Sequence, residues 1–333
     1  MEQTRLINTT MALWPMLAKA AGLAGDTPEV QPLLIRPAKD AARVILALEV
    51  GGKPLIIKHE YTRNGAENRH FTDSLTAQSK ARLRMTGNML DLKVPEILAH
   101  LPHQNLVLME RHPGDQAAHL IEEARSRLDR REVLAAGGRW LGAFHRALPL
   151  AQRPYQTRFV VNHLRRQRSA IDAGHIRVAE PATFLRLSDA IEASAIAYDG
   201  KPVRHAWQHG DFTTRNLLID ATSTAAIDFK PEHSAPIGHD IARFVVDYAA
   251  LYGEHPKIPD GQILQGPDRA AFFRAYGLDE RADPSIRFLY GAQSLSDWSR
   301  IPAREDQRSL MQVLRLQGLM QTTRRLYPTL RAA

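Results

Sequence analysis

The sequence contains no cysteine, which excludes disulfides and any metal site built on thiolates. It contains no apolar run long enough to cross a bilayer, so no membrane-embedded segment is expected. The opening residues, MEQTRLINTTMALWPMLAKAAG, lack a basic stretch followed by a clean apolar one. They do not read as a signal peptide, and the apolar spacing over 6–22 predicts an amphipathic helix instead. A cytoplasmic location is the expectation these absences leave. No repeat period is visible, which excludes solenoid and propeller architectures. Glycine is missing between Gly25 and Gly51, so no G-x-G-x-x-G turn lies in that stretch.

What is present begins with 44% hydrophobic residues over 333 positions, enough for a sizeable core organised as two lobes. The formal net charge of +8 raises the question of a nucleic-acid partner. The basic residues are spread, however, and many fall in Arg-rich helical stretches such as RFVVNHLRRQR (158–168). No basic strand interleaved with aromatics resembles an RNA-binding sheet. No nucleic-acid partner and no membrane partner is therefore expected. A basic surface suits a phosphate-bearing nucleotide and argues against a polycationic ligand, which would want an acidic pocket.

The most informative stretch is WQHGDFTTRNLLIDATSTAAIDF (207–229). His209-Gly210-Asp211 opens a loop that reaches Asn216. Two short apolar runs follow, and the second ends on Asp228. A lone His-Gly-Asp reads as a turn, because Gly, Asp and Asn favour turns and caps. The whole constellation is more than a turn requires. Phosphoryl transfer asks a protein chiefly for positioning and charge neutralisation. Asp211 is the candidate carboxylate to accept a proton from an acceptor hydroxyl. Asn216 and Asp228 offer an amide oxygen and a carboxylate, hard donors that suit magnesium. The order and spacing follow the protein-kinase pattern H-R-D-x-x-x-x-N then D-F-G.

HGDFTTRN with IDF resembles the aminoglycoside phosphotransferase and choline kinase-like family of small-molecule kinases, which carry Gly rather than Arg between His and Asp. PIGHDIARF (236–244) resembles that family's downstream D-L-A segment, and WLGAFHRAL (140–148) the helix end before its catalytic loop. The resemblance implies an α+β, two-lobed protein-kinase-like fold. A small β-rich N-lobe (1–110) would bind nucleotide, and a larger, mainly helical C-lobe (111–333) would carry the catalytic loop and the acceptor site. It implies ATP and Mg2+ as cofactors, Asp211 as catalytic base, Asn216 and Asp228 as metal ligands, and Asp240 as a brace for the loop. The expected partners are a nucleotide and a small hydroxylated substrate: a sugar, amino sugar, amino alcohol or aminoglycoside-like compound.

The N-terminal part fits this frame. Arg43–Val50 and Pro54–His59 read as strands joined by a Gly51-Gly52 hairpin turn. The resemblance makes Lys58, near the end of the second strand, the lysine that grips the nucleotide phosphates. Its acidic partner would lie on the helical stretch 64–86. Glu67 lies close after Lys58 and Asp73 has the more usual spacing, and the sequence leaves both open. LVLMERHPG (106–114) resembles the family's hinge, which makes backbone groups of Met109, Glu110 and Arg111 the adenine contacts.

Two departures matter. Without the glycine loop, PAKDAARV (37–44) stands where phosphate would be met, with Lys39, Asp40 and Arg43 as its polar residues. Lys230 replaces the glycine after Asp228-Phe229, where it would either pair with Asp228, reach a phosphate or point to solvent. These departures support a second reading, a catalytically silent kinase-like nucleotide-binding protein; retention of Asp211, Asn216 and Asp228 argues against it. The acceptor pocket falls in the helical C-terminal region. There Asp247, Tyr248, Tyr290, Asp297, Trp298 and Arg300 cannot be divided between wall and core from sequence.

Overall fold

The computed structural model describes residues 2–23, 25–37, 41–62, 65–85 and 91–331. The chain divides into two compact units. One comprises Met1–Asp115 with Leu218–Glu232, the other Gln116–Leu217 with His233–Ala333. The expected α+β, two-lobed arrangement is the one observed. The segment 218–232, expected with the helical lobe, belongs instead with the first unit.

In the first unit the opening residues form two helices, α1 (Glu2–Met11) and α2 (Trp14–Ala20), where one was expected. Pro15 explains the break, because it lacks the N–H that would continue the helical ladder. Strands β1 (Glu29–Pro37), β2 (Ala41–Val50) and β3 (Lys53–Thr62) precede α3 (Arg69–Met85). Then come β4 (Leu92–Lys93), β5 (Ile97–Leu101) and β6 (Leu106–Glu110). The main sheet is antiparallel, in the order β1-β2-β3-β6-β5. The predicted hairpin joins β2 to β3 with Gly51 and Gly52 at φ 56° and 75°. Two successive left-handed residues are what a tight hairpin turn requires.

Alternation along the strands sets the faces of this sheet. Leu55 and Ile57 of β3 and Leu106 and Leu108 of β6 pack with Trp14 and Leu17. Val107 and Met109 point the other way, against Phe71 and Leu75 of α3. Lys58 follows Ile57 and so shares the face of α3, with its ammonium 5.9 Å from the Phe71 ring centroid. Thr224–Ala226 forms a short strand parallel to β4, and Thr224 N–H donates to the Asp91 carbonyl at 2.7 Å. That pairing is why 218–232 joins this unit.

The second unit is mainly helical: α4 (Ala117–Glu123), α5 (Arg127–Arg146), α6 (Arg158–Asp172), α7 (Pro181–Ser194), α8 (Gly238–Tyr252), α9 (Gly266–Tyr276), α10 (Pro284–Trp298) and α11 (Leu310–Leu326). Strands β7 (Ala151–Pro154), β8 (Pro202–Trp207) and β9 (Ser234–Pro236) form a small antiparallel sheet with β8 in the middle. Helix α8 is the hub, packed on α10 and α11. The approach of α11 is close enough that a Cβ at Gly318 would lie 1.7 Å from the Ala250 carbonyl oxygen. A column of aromatic rings crosses this core. Trp140 stacks on Phe212, Phe212 meets Phe244, Phe244 stacks on Phe272, and Phe272 on Tyr276.

Candidate active site

In the second unit β8 runs into the loop that carries Asp211. Gly210 sits at φ 79°, a conformation in which a Cβ is strained, so glycine is what the turn demands. The turn is fixed from below by the side chain of Asp240, in the first turn of α8. Its carboxylate accepts from His209 N–H at 2.7 Å and from Gly210 N–H at 2.9 Å. Asp240 is fully enclosed, and burial pushes its carboxyl up. The hydrogen bond and charge of His145, with His209 behind them, more than offset this and hold it down at about 2. His145, which its place on an apolar helix face marks as a buried, hydrogen-bonded histidine, links Tyr276 Oη at 2.8 Å to Asp240 Oδ2 at 3.3 Å.

Beyond the turn, Phe212 is the loop's anchor, wholly buried between Trp140 and Phe244. Thr214 donates both its N–H (3.0 Å) and its Oγ1 (2.6 Å) to Asp247 Oδ2. Arg315 of α11 bridges Asp247 at 2.8 Å and Asp297 at 3.0 Å. Asn216 closes the loop by donating its side-chain N–H to the Asp211 carbonyl at 2.8 Å. That bond leaves the amide oxygen as the atom a hard cation would meet. The Asp211 carboxylate itself stays partly open to solvent and is touched by Arg243 Nη1 at 3.1 Å. Thus Asp211, Asn216 and Asp240 come together as one loop and its brace.

In the first unit Lys58 is the expected strand lysine. It is nearly enclosed, and its Nζ donates to Asp228 Oδ1 at 2.7 Å. Asp228 sits at φ 63°, in the left-handed region where Asp is one of the few side chains tolerated. The acidic partner sought on α3 is a correction. Glu67 lies before the helix begins, exposed, with His103 Nδ1 at 3.6 Å. Asp73 is exposed on α3. Neither is the carboxylate that Lys58 meets. Helix α3 contributes cations instead, with Lys80 and Arg84 holding Glu232 at 2.6 Å and 2.5 Å.

The hinge-like strand is β6, with Met109 buried and Glu110 exposed at its end. The Glu110 N–H donates to the Glu96 carbonyl at 2.8 Å and the Arg111 N–H to Pro54 at 3.1 Å. Those two N–H groups are used within the unit and are not presented to a base. Lys39 and Asp40 lie outside the described residues. Arg43 pairs with Glu60 at 2.6 Å.

Several residues left unassigned by sequence now have places in the core. Asp247 braces Thr214, Asp297 pairs with Arg315, Tyr290 Oη donates to Glu280 at 2.8 Å, and Trp298 Nε1 to the Ala179 carbonyl at 2.8 Å. Arg243 was missed, although a signal existed. It follows Asp240 by one helical turn in GHDIARF, so the two share a helix face.

No curated protein matches the sequence. Among solved structures, a choline/ethanolamine kinase family protein from Mesorhizobium loti is similar at 15% identity and TM-score 0.58, over 95% of this chain and 94% of that one. An amicoumacin kinase in complex with AMP-PNP and Ca2+ is similar at 13% identity and TM-score 0.54, over 96% and 95%. A glucosamine kinase is similar at 14% identity and TM-score 0.53, over 95% and 97%. At these identities the likeness is one of fold. The model of the phosphotransferase enzyme family matches residues 47–289, most of the chain and both candidate motifs, and the chain belongs to that family.

Proposed function

We propose that the protein transfers the γ-phosphoryl group of ATP to a hydroxyl group of a small molecule. The observation that carries this reading is the bracing of one loop. Asp240 fixes the His209-Gly210 turn, Asp247 fixes Thr214, and Asn216 bonds back to the Asp211 carbonyl. A loop held at three points presents the Asp211 carboxylate at a set position, and positioning is most of what this chemistry needs.

Asp211 orients the acceptor hydroxyl and takes its proton as the oxygen attacks the γ-phosphorus and the bond from that phosphorus to the bridging oxygen breaks, with ADP as leaving group. Lys58 neutralises charge on the nucleotide phosphates. Asn216 in the helical unit offers an amide oxygen and Asp228 in the first unit a carboxylate, each a hard donor of the kind that magnesium takes beside water and phosphate. When bound, the metal screens phosphate charge. Arg243 keeps the Asp211 carboxylate oriented.

The test is transfer of labelled γ-phosphate from ATP to a library of hydroxylated metabolites, with and without Mg2+. Metal-dependent labelling of at least one compound is expected. ATP binding with no transfer to any compound would favour the silent nucleotide-binding alternative.

A further inference from the structure

Next to Asp211, within the helical unit, lies a cavity of about 650 Å³ walled by α6, α8, α10 and β7. Arg243 belongs to its wall and also touches Asp211, so the cavity opens one side chain away from the candidate base. A volume of this order suits a small organic molecule.

Three features of the wall bear on what it takes. First, no aspartate or glutamate lines it among the described residues, and its charged side chains are Arg153 and Arg243. Second, Tyr155 Oη, Gln167 Oε1 and His205 Nδ1 are buried polar atoms with no hydrogen-bond partner among the described residues, and all three residues line the cavity. Burial, with the charge of Asp283 behind it, raises the Tyr155 hydroxyl, so it stays a neutral phenol able to donate. Burial and the neighbouring Arg153 lower His205, leaving it a neutral imidazole at physiological pH. Third, Phe159, Leu164 and Leu289 supply an apolar surface, with Phe159 still 64% exposed.

We infer that this cavity is the acceptor site and that its ligand is a hydroxylated compound with an apolar face and no ammonium group. The inference rests on the phosphotransferase reading above and narrows its acceptor. An ammonium group buried here would lose its hydration, meet no carboxylate among the lining residues, and lie near arginine. Hydroxyl groups, by contrast, would find donors and acceptors that the protein leaves unused. An apolar face would cover the Phe159, Leu164 and Leu289 surface. Amino sugars, amino alcohols and aminoglycosides are thereby disfavoured against neutral or acidic hydroxyl compounds.

The experiment compares matched pairs that differ by one amine: glucose with glucosamine, and phenyl glucoside with its 2-amino analogue. Phenyl glucuronide separates an acidic from a neutral preference. Binding is read by calorimetry and transfer by mass spectrometry of ATP-driven reactions. The hydroxyl member of each pair is expected to bind roughly tenfold or more tightly than its amine partner. The substitution Gln167→Glu, which adds a carboxylate to the wall, is expected to reduce or invert that ratio. Should Gln167→Glu not fold, Ser296→Asp serves the same purpose. Equal or tighter binding of the amine members, an unchanged ratio in a folded carboxylate variant, or no binding of any member would overturn the acceptor assignment. A separate ATP titration keeps the two readings apart, since loss of the ATP response alone strikes at the phosphotransferase reading.

Discussion

Lys58 and Asp228 are 170 residues apart in the chain and 2.7 Å apart in space. A lysine almost enclosed by its strand and by Phe71 thus meets the aspartate at the centre of the IDF motif, within one compact unit. If Lys58 grips nucleotide phosphates, Lys58→Ala should lower ATP affinity by roughly 10- to 100-fold, the range for one charge-assisted contact. Lys58→Arg should rescue little, because a planar fork does not replace a compact ammonium in an enclosed place. Nucleotide titration by calorimetry or fluorescence checks both.

Asp240 carries the loop through two backbone N–H groups. Asp240→Ala leaves both without their acceptor, and a loss of about 2–5 kcal/mol in unfolding free energy is expected. Transfer should fall far more than ATP affinity, since the damage is to the Asp211 loop. Denaturant titration with parallel kinetics separates the two effects.

The same carboxyl gives a pH dependence. Its value in the folded protein, about 2, lies below the ordinary 3.8. A depressed carboxylate contributes stability that is present above the unfolded value and is lost as pH falls through the folded one. The difference in stability between wild type and Asp240→Asn should therefore shrink between about pH 4 and pH 2, by roughly 2 kcal/mol. Urea midpoints measured across that window test the sign and the size.

Arg315 joins Asp247, which holds Thr214, to Asp297. Removing the cation strands two nearly buried carboxylates. Arg315→Met should cost about 3–5 kcal/mol of stability. The double substitution Asp297→Asn with Arg315→Met should cost less than the sum of its parts, as a double-mutant cycle would report.

Local motifs were the legible part of this chain. HGDFTTRN, IDF, the Gly-Gly hairpin and the D-I-A segment each encode a turn, a strand end or a helix start within a few residues. The strand, turns and helix start that carry Lys58, Asp211, Asn216, Asp228 and Asp240 could therefore be read directly, while their chemical roles rest on the family resemblance. What escaped depends on distant packing. Nothing near Lys58 indicates that its carboxylate is Asp228 rather than Glu67 or Asp73. The pairing of Thr224–Ala226 with β4 draws 218–232 into the first unit, and neither strand is longer than three residues. The cavity wall is assembled from helices that are far apart in sequence, so periodicity marks their apolar faces without saying which face encloses a space. The helical break before Trp14 was legible in principle, since Pro15 announces it.

Asp211 as the base of a phosphoryl transfer is the role on which the proposed function depends. Its most direct test is single-turnover transfer by Asp211→Asn, with ATP affinity measured on the same preparation. A fall of about 100- to 10,000-fold in the transfer rate is expected, the usual worth of a positioned general base, with ATP affinity nearly unchanged. Transfer at the wild-type rate by Asp211→Asn would contradict it.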